Sequence, residues 1–236
     1  SKVACTMGFP RAPVPKSLSD AESQKRTAAQ AAAALVSDGE RVGLGTGSTV
    51  AHLLPALAAR GLSLRCVATS PATEHVAREL GLIVEDLDAL EHLDIAIDGA
   101  DQIDPHGWLV KGGGGAHTRE KIVAAAAERF VVIASADKTV QSLQPPVPLE
   151  ILRFGAHTTL ASLGEAVLRD APPSPEGNLI ADYLGPVEDA SALAARLSST
   201  PGVVDHGLFA PELVSDILIA GAEGVEHRTL ERKGSR

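Results

Sequence analysis

The sequence predicts an α/β protein with two parts. One is a mostly parallel sheet with helices on both faces; the other is a small α+β domain. Three observations predict this. Short apolar runs alternate with helical periodicity over the first two thirds of the chain, the pattern of successive βαβ units and hence of a Rossmann-like sheet. Hydrophobic residues make up 44% of the 236 positions but aromatics only 3%, so the core is built from Val, Leu, Ile and Ala. Finally, Pro145-Pro146-Val147-Pro148 interrupts the alternation, and a denser run of short elements follows it.

Residues 1–18, with Pro10, Pro13 and Pro15, read as an irregular leader. Helical periodicity runs from Asp20 to Val36 and stops at Ser37-Asp38-Gly39. Arg41–Gly45 reads as a strand, 50–59 as a helix with Pro55 as an irregularity, and 64–69 as a second strand. A helix over 71–80 ends at Gly81. Strands are expected at 83–85, 93–97 and 108–110, then a helix at 119–129 and a strand at 130–134. Beyond the proline boundary come strand 149–153, helix 160–170, strand 178–183, helix 188–199 and strand 202–206. That β-α-β-α-β order suits a ferredoxin-like unit with an open-faced sheet. Val214–Ala220 reads as an apolar strand that rejoins the first sheet. The expected divisions are a catalytic domain of 19–145 and 207–225, a small domain of 146–206, and a polar tail of 226–236.

Composition narrows the function. Asp and Glu number 30 against 21 Lys and Arg, a formal charge of −9, and no basic run offsets it, which argues against a nucleic-acid backbone as partner. An anion can still bind where a few cations and backbone N–H groups converge. Cys5 and Cys66 show no metal-type spacing and read as reduced thiols of a cytoplasmic protein. No apolar run approaches a membrane span, and no signal-peptide core is visible.

Four unusual segments fall where strands end, the edge at which open α/β sheets bind ligands. Gly45-Thr46-Gly47-Ser48-Thr49 leads a strand into a helix N-terminus; it suits a phosphate, or serves only as a glycine turn with Ser48 or Thr49 capping the helix. Asp98-Gly99-Ala100-Asp101 places two carboxylates past a strand, fit for Mg²⁺, sugar hydroxyls or proton transfer, or simply for a turn. Lys111 precedes Gly112-Gly113-Gly114-Gly115, a loop able to present N–H groups to an oxyanion. Glu120 follows in the first turn of the next helix, where the dipole favours its ionised form. Ser135-Ala136-Asp137-Lys138 ends another strand, and Lys25 lies in the first helix; each lysine alone reads as a surface charge. His75, His117 and His157 show no ligand spacing and are assigned neither to metal nor to catalysis.

Together these segments, with Thr69-Ser70, Arg119-Glu120-Lys121, Pro201-Gly202-Val203-Val204 and Gly207-Leu208-Phe209, resemble the A-type ribose-5-phosphate isomerase family, in order and spacing from about residue 20 to 225. The resemblance implies an aldose–ketose isomerase that interconverts ribose 5-phosphate and ribulose 5-phosphate through a cis-enediolate. It implies Glu120 as general base, with Asp98, Asp101 and Lys111 holding and polarising the sugar. Thr46, Gly47, Ser48, Thr49, Lys138 and Lys25 match substrate and phosphate positions, with Gly99, Ala100, Gly112, Gly113 and Gly114 supplying backbone around them. It further implies no metal, no organic cofactor, and a homodimer or homotetramer. Gln102 and Pro175-Glu176-Gly177-Asn178 depart from the family's usual residues without removing a catalytic group. Two alternatives stand beside this reading: a non-catalytic sugar-phosphate sensor, and an acyl or CoA transferase with Glu120 as nucleophile.

Overall fold

Alternating strands and helices from Leu18 onward build the larger part of the protein in the computed structural model, which describes residues 18–90 and 92–230. The leader before Leu18 and the tail after Leu230 therefore lie outside the described residues. In chain order the elements are α1 (Leu18–Ala33), β1 (Arg41–Leu44), α2 (Ser48–Ala58), β2 (Arg65–Ala68), α3 (Pro71–Glu79), β3 (Ile83–Val84), β4 (Leu93–Gly99), β5 (Gln102–Ile103), β6 (Leu109–Val110), α4 (His117–Ala126) and β7 (Ala127–Ser135). There follow β8 (Val147–Ile151), α5 (Ala156–Leu163), β9 (Ala166–Leu168), β10 (Leu179–Tyr183), α6 (Ala190–Ser198), β11 (Val203–His206), β12 (Leu208–Phe209), β13 (Asp216–Gly221) and β14 (Gly224–Thr229).

The large sheet has the order β14-β13-β7-β4-β1-β2-β3. All its pairs are parallel except β13–β14. Period-2 alternation sends Val131 and Ile133 to one face, beneath the alanines of α1 and the leucines of α2. Phe130, Val132 and Ala134 face the opposite layer, where Val123 and Ala124 of α4 pack. A parallel sheet buried on both faces needs such near-continuous apolar strands. From β1 the chain proceeds outward through β2 and β3, and from β4 it proceeds the other way through β7. The crevice between β1 and β4 is thus the topological switch point of the sheet, the position at which such sheets bind ligands.

β7 begins three residues before the expected strand, because Leu93 of β4 already pairs with Ala127. That ladder takes residues which the alanine-rich helical pattern would have continued. A separate three-stranded sheet, β12-β6-β5, carries Val110 to the edge of the crevice, and Lys111 N–H donates to Gly207 O (2.8 Å) just beyond it.

The small domain forms an antiparallel sheet in the order β11-β8-β10-β9, the ferredoxin-like arrangement. The expected β-α-β-α-β sequence gains a strand. Residues 160–170 do not form one helix: Gly164, at φ 78°, ends α5, and β9 follows within two residues. Val147, Leu149 and Ile151 of β8 pack under α5 and α6. The opposite face is not open, since fully buried Glu150 meets α4 there, accepting from Thr118 Oγ1 (2.5 Å). The expected tail from residue 226 is also revised: Glu226–Thr229 belong to β14, paired with β13. Its mostly exposed polar side chains are those a protected edge strand carries.

Candidate active site

The end of β1 and the start of α2 form the first wall. Gly47 turns the chain at φ 126°, and α2 opens at Ser48 without a side-chain cap, leaving its first N–H groups for a ligand. Hydroxyl groups brace this loop from behind. Thr46 Oγ1 lies 2.8 Å from Thr69 Oγ1, and Thr73 Oγ1 donates to Gly45 O (2.9 Å). Thr73 is itself held at the start of α3, where its N–H donates to Ser70 Oγ (3.2 Å) and Pro71 pre-sets the first helical residue. Gly45 is required by close approach: a Cβ there would stand 2.0 Å from Asp98 Cγ. Without it, Asp98 Oδ1 comes close enough to accept from Thr46 N–H (3.1 Å) and Gly99 N–H (2.7 Å).

Asp98, Lys111 and Glu120 meet beneath the crevice, each only 3% exposed. Lys111 Nζ donates to Gly99 O (2.5 Å) and stands 2.9 Å from Asp98 Oδ2 and 3.2 Å from Glu120 Oε2. Its other side faces the ring of Phe209, 5.4 Å to the centroid. Burial alone would lower the lysine pKa, but the charges of Asp98 and Glu120 outweigh it and hold the amine firmly protonated. Burial pushes both carboxylates upward. Asp98 is raised against the opposing pull of Lys111 and two amides. Glu120 is pushed up to about 8, by burial first and by the Asp98 charge second, with Lys111 pulling the other way. This reverses the expectation that the α4 dipole keeps Glu120 ionised; desolvation beside a like charge is the larger effect.

Above this trio lies a cavity of about 230 Å³, below the roughly 300–1,000 Å³ that drug-sized ligands occupy, so it suits a small polar molecule. Thr46, Gly47, Ser48 and Thr49 line one side, and Gly99, Ala100 and Asp101 another. Gly112, Gly113 and Gly114 form the third, with Lys111, Glu120 and Lys138 completing it. Asp101 Oδ2 accepts from Gly113 N–H (2.9 Å), tying the second and third walls together. Gly112 adopts φ 101°, which an L side chain rarely reaches, and a Cβ there would meet the His117 ring at 2.7 Å. Among the described residues no group of three or more His, Cys, Asp or Glu side chains could hold a metal ion.

Asp98 lies below the cavity lining and reaches it through Lys111. Lys25 is not brought there: its Nζ bonds Glu22 Oε1 one turn away on α1 (2.6 Å). What α1 contributes instead is Gln24, whose Oε1 accepts from Ala136 N–H (3.2 Å) and fixes the short 3-10 turn carrying Lys138. Residue-by-residue reading singles out neither Gln24 nor Thr73. The hydroxyl-rich Thr69-Ser70-Pro71-Ala72-Thr73 at the end of the neighbouring strand is the signal that points to Thr73.

A family model described as ribose 5-phosphate isomerase A (phosphoriboisomerase A) matches residues 65–224. Ribose-5-phosphate isomerase A of Caulobacter vibrioides is 48% identical over 221 residues, covering 87% of this chain and 97% of that protein. The Methanosarcina acetivorans protein of the same name is 44% identical over 216 residues, covering 85% and 92%. Among solved structures, ribose 5-phosphate isomerase A of Neisseria gonorrhoeae superposes with a TM-score of 0.85 at 31% identity, over 89% of this chain and 97% of that one. A D-ribose-5-phosphate isomerase in complex with phospho-erythronic acid superposes with a TM-score of 0.84 at 32% identity, over 89% and 99%. Sequence and fold agree over the same span, and this chain belongs to the ribose 5-phosphate isomerase A family.

Proposed function

We propose that this protein interconverts ribose 5-phosphate and ribulose 5-phosphate by moving a proton between C2 and C1 through a cis-enediolate. One observation carries the reading: a buried lysine and a buried carboxylate, Lys111 Nζ and Glu120 Oε2, face each other at 3.2 Å in the wall of a small polar cavity. A carbon acid beside a carbonyl is too weak for a carboxylate to deprotonate unless the developing oxyanion is neutralised as it forms. Lys111 and the amides of the glycine loop supply that field in a site with little water. Ionised Glu120 takes the C2 proton of the aldose and returns it at C1 of the ketose.

Asp101 lines the cavity and is placed to exchange a proton with a sugar hydroxyl, whereas Asp98 holds Lys111 from below. The phosphate takes the free N–H groups at Ser48 and Thr49, the hydroxyls of that loop, and Lys138. The phospho-erythronic acid bound by the structural relative supports this, since a short aldonate phosphate offers an anionic trigonal carbon in place of the enediolate. The residues so assigned need no metal or organic cofactor. The reading includes a cytoplasmic homodimer or homotetramer, and Leu152, Phe154 and Val204, exposed on the small domain, support assembly. Among the described residues no helix is long and apolar enough to cross a membrane.

A direct assay of aldose–ketose interconversion, with and without chelator, tests the proposal. Chelator-resistant turnover is expected; its absence would return the sensor and transferase alternatives, and chelator sensitivity would implicate a metal at Asp98 and Asp101. Glu120→Gln is expected to lower kcat by roughly 10²–10⁴ with KM little changed. Turnover near wild type in that variant would remove Glu120 as the base.

A further inference from the structure

We infer that Arg169, on the small domain, is a positioning residue for the oxyanion-stabilising loop: by holding the carbonyls of Gly112 and Gly113 it turns the Gly114 N–H into the cavity. This deepens the isomerase reading and rests on it.

The loop is a four-residue turn closed by Gly115 N–H donating to Gly112 O (3.0 Å). Its central residues, Gly113 and Gly114, both lack the left-handed φ seen at Gly112 and Gly115. The central peptide therefore lies as in a type I turn, since type II needs positive φ at the second central residue. The two types differ chiefly by a flip of that peptide, and glycine resists neither. The glycine run by itself does not select one.

Arg169 supplies the selection. Its Nη1 donates to both Gly112 O and Gly113 O, each at 3.1 Å. In a trans peptide N–H points opposite C=O, so drawing Gly113 O toward the small domain sends the Gly114 N–H the other way. Gly112, Gly113 and Gly114 line the cavity on that side. Of the two central amides, the Gly113 N–H is already committed to Asp101 (2.9 Å), which leaves the Gly114 N–H to meet an oxyanion. The guanidinium is fixed in turn by a bidentate pair with Asp182 of β10, Nε to Oδ2 at 2.9 Å and Nη2 to Oδ1 at 2.5 Å. Arg169 N–H also donates to Ile180 O (2.9 Å), extending the β9–β10 ladder. A lysine, as a point charge on a flexible stem, cannot hold Asp182 and two carbonyls in one plane.

Steady-state kinetics, thermal melting and binding of a four-carbon hydroxamate phosphate, a planar enediolate analogue, test this on Arg169→Lys and Asp182→Asn. For Arg169→Lys, kcat is expected to fall roughly 10–100-fold, approaching the 10²–10³ lost when an oxyanion donor is removed outright, with KM within about twofold. Affinity for the analogue falls in step with kcat, while Tm stays near wild type. Asp182→Asn keeps the guanidinium but loosens it, so it shows a smaller loss of the same kind and serves if the first variant folds poorly. Wild-type kcat in Arg169→Lys overturns the inference, as does an equal loss of substrate and analogue binding accompanied by lowered Tm. A wild-type protein without isomerase activity would instead remove the functional reading beneath it.

Discussion

Glu120 sits in the first turn of α4, where a helix dipole contributes at most about 2 kcal/mol toward the ionised form. Its lift from 4.5 to about 8 corresponds to roughly 5 kcal/mol in the other direction, so desolvation and the Asp98 charge decide its protonation. Burial thus keeps the lysine paired while pushing both carboxylates toward their neutral forms, which limits the unbalanced charge held in so dry a place. A base that must shed its proton before it can act imposes a pH dependence. Because only the ionised carboxylate accepts the C2 proton, kcat/KM should rise about tenfold per pH unit below 8 and level off above it. Initial rates at low substrate between pH 6 and 9 check this. A flat profile over that range would mean that Glu120 is ionised in the free enzyme or is not the base.

At the scale of elements, the N-terminus of α2 and the turn after β7 both line the cavity, and in the proposed reading Lys138 and the Ser48–Thr49 amides hold the phosphate. Such contacts act alike on ground and transition states. Lys138→Ala should therefore raise KM roughly 10–100-fold, the worth of one charged hydrogen bond, with kcat nearly unchanged; a fall in kcat at constant KM would place Lys138 in the chemistry. Much of this arrangement is legible in the sequence, because strand ends gather at the crevice: Thr46, Lys111 and Lys138 each follow a strand, and Asp98 is the last residue but one of β4. Local pattern falls short where a partner element decides the outcome. Glycine inside an apolar stretch reads equally as helix interior or stop, so Gly164 hides β9 and with it the contact of Arg169. Glu226, His227 and Arg228 read as a tail because edge strands carry polar residues. Lys25 fits the family's spacing, yet its nearest acceptor is Glu22 on its own helix.

In the whole molecule the small domain grips α4 rather than merely adjoining it. Glu150 receives Thr118, Glu176 pairs with Arg119, and Asp205 pairs with Lys121 at 2.6 Å, all around the stretch that carries Glu120. The seam between the two parts also buries His117 and His206. Burial first and the Lys121 cation second press both down to about 3, against weaker pulls from the backbone at Asp205 for His117 and at Ala194 and Leu208 for His206. Such a histidine stays neutral when folded down to about pH 3, whereas in the unfolded chain it takes up a proton below about 6.5. The unfolded state then binds more protons across that window, so stability drops as pH falls, by up to about 1.4 kcal/mol per pH unit for each histidine. Glu120 has the opposite sign: its folded state keeps a proton between 4.5 and about 8, so its contribution drops as pH rises through that range. His117→Leu removes one of the acid-labile groups and puts an apolar side chain of similar volume in place of a fully buried polar ring. The variant should match or exceed wild-type stability at pH 7, and its advantage should widen steadily as pH is lowered from 6.5 toward 4. Urea unfolding at several pH values measures that difference directly. A constant gap between the two curves would mean that His117 titrates alike in the folded and unfolded chain, and that the seam is wetter than its packing indicates.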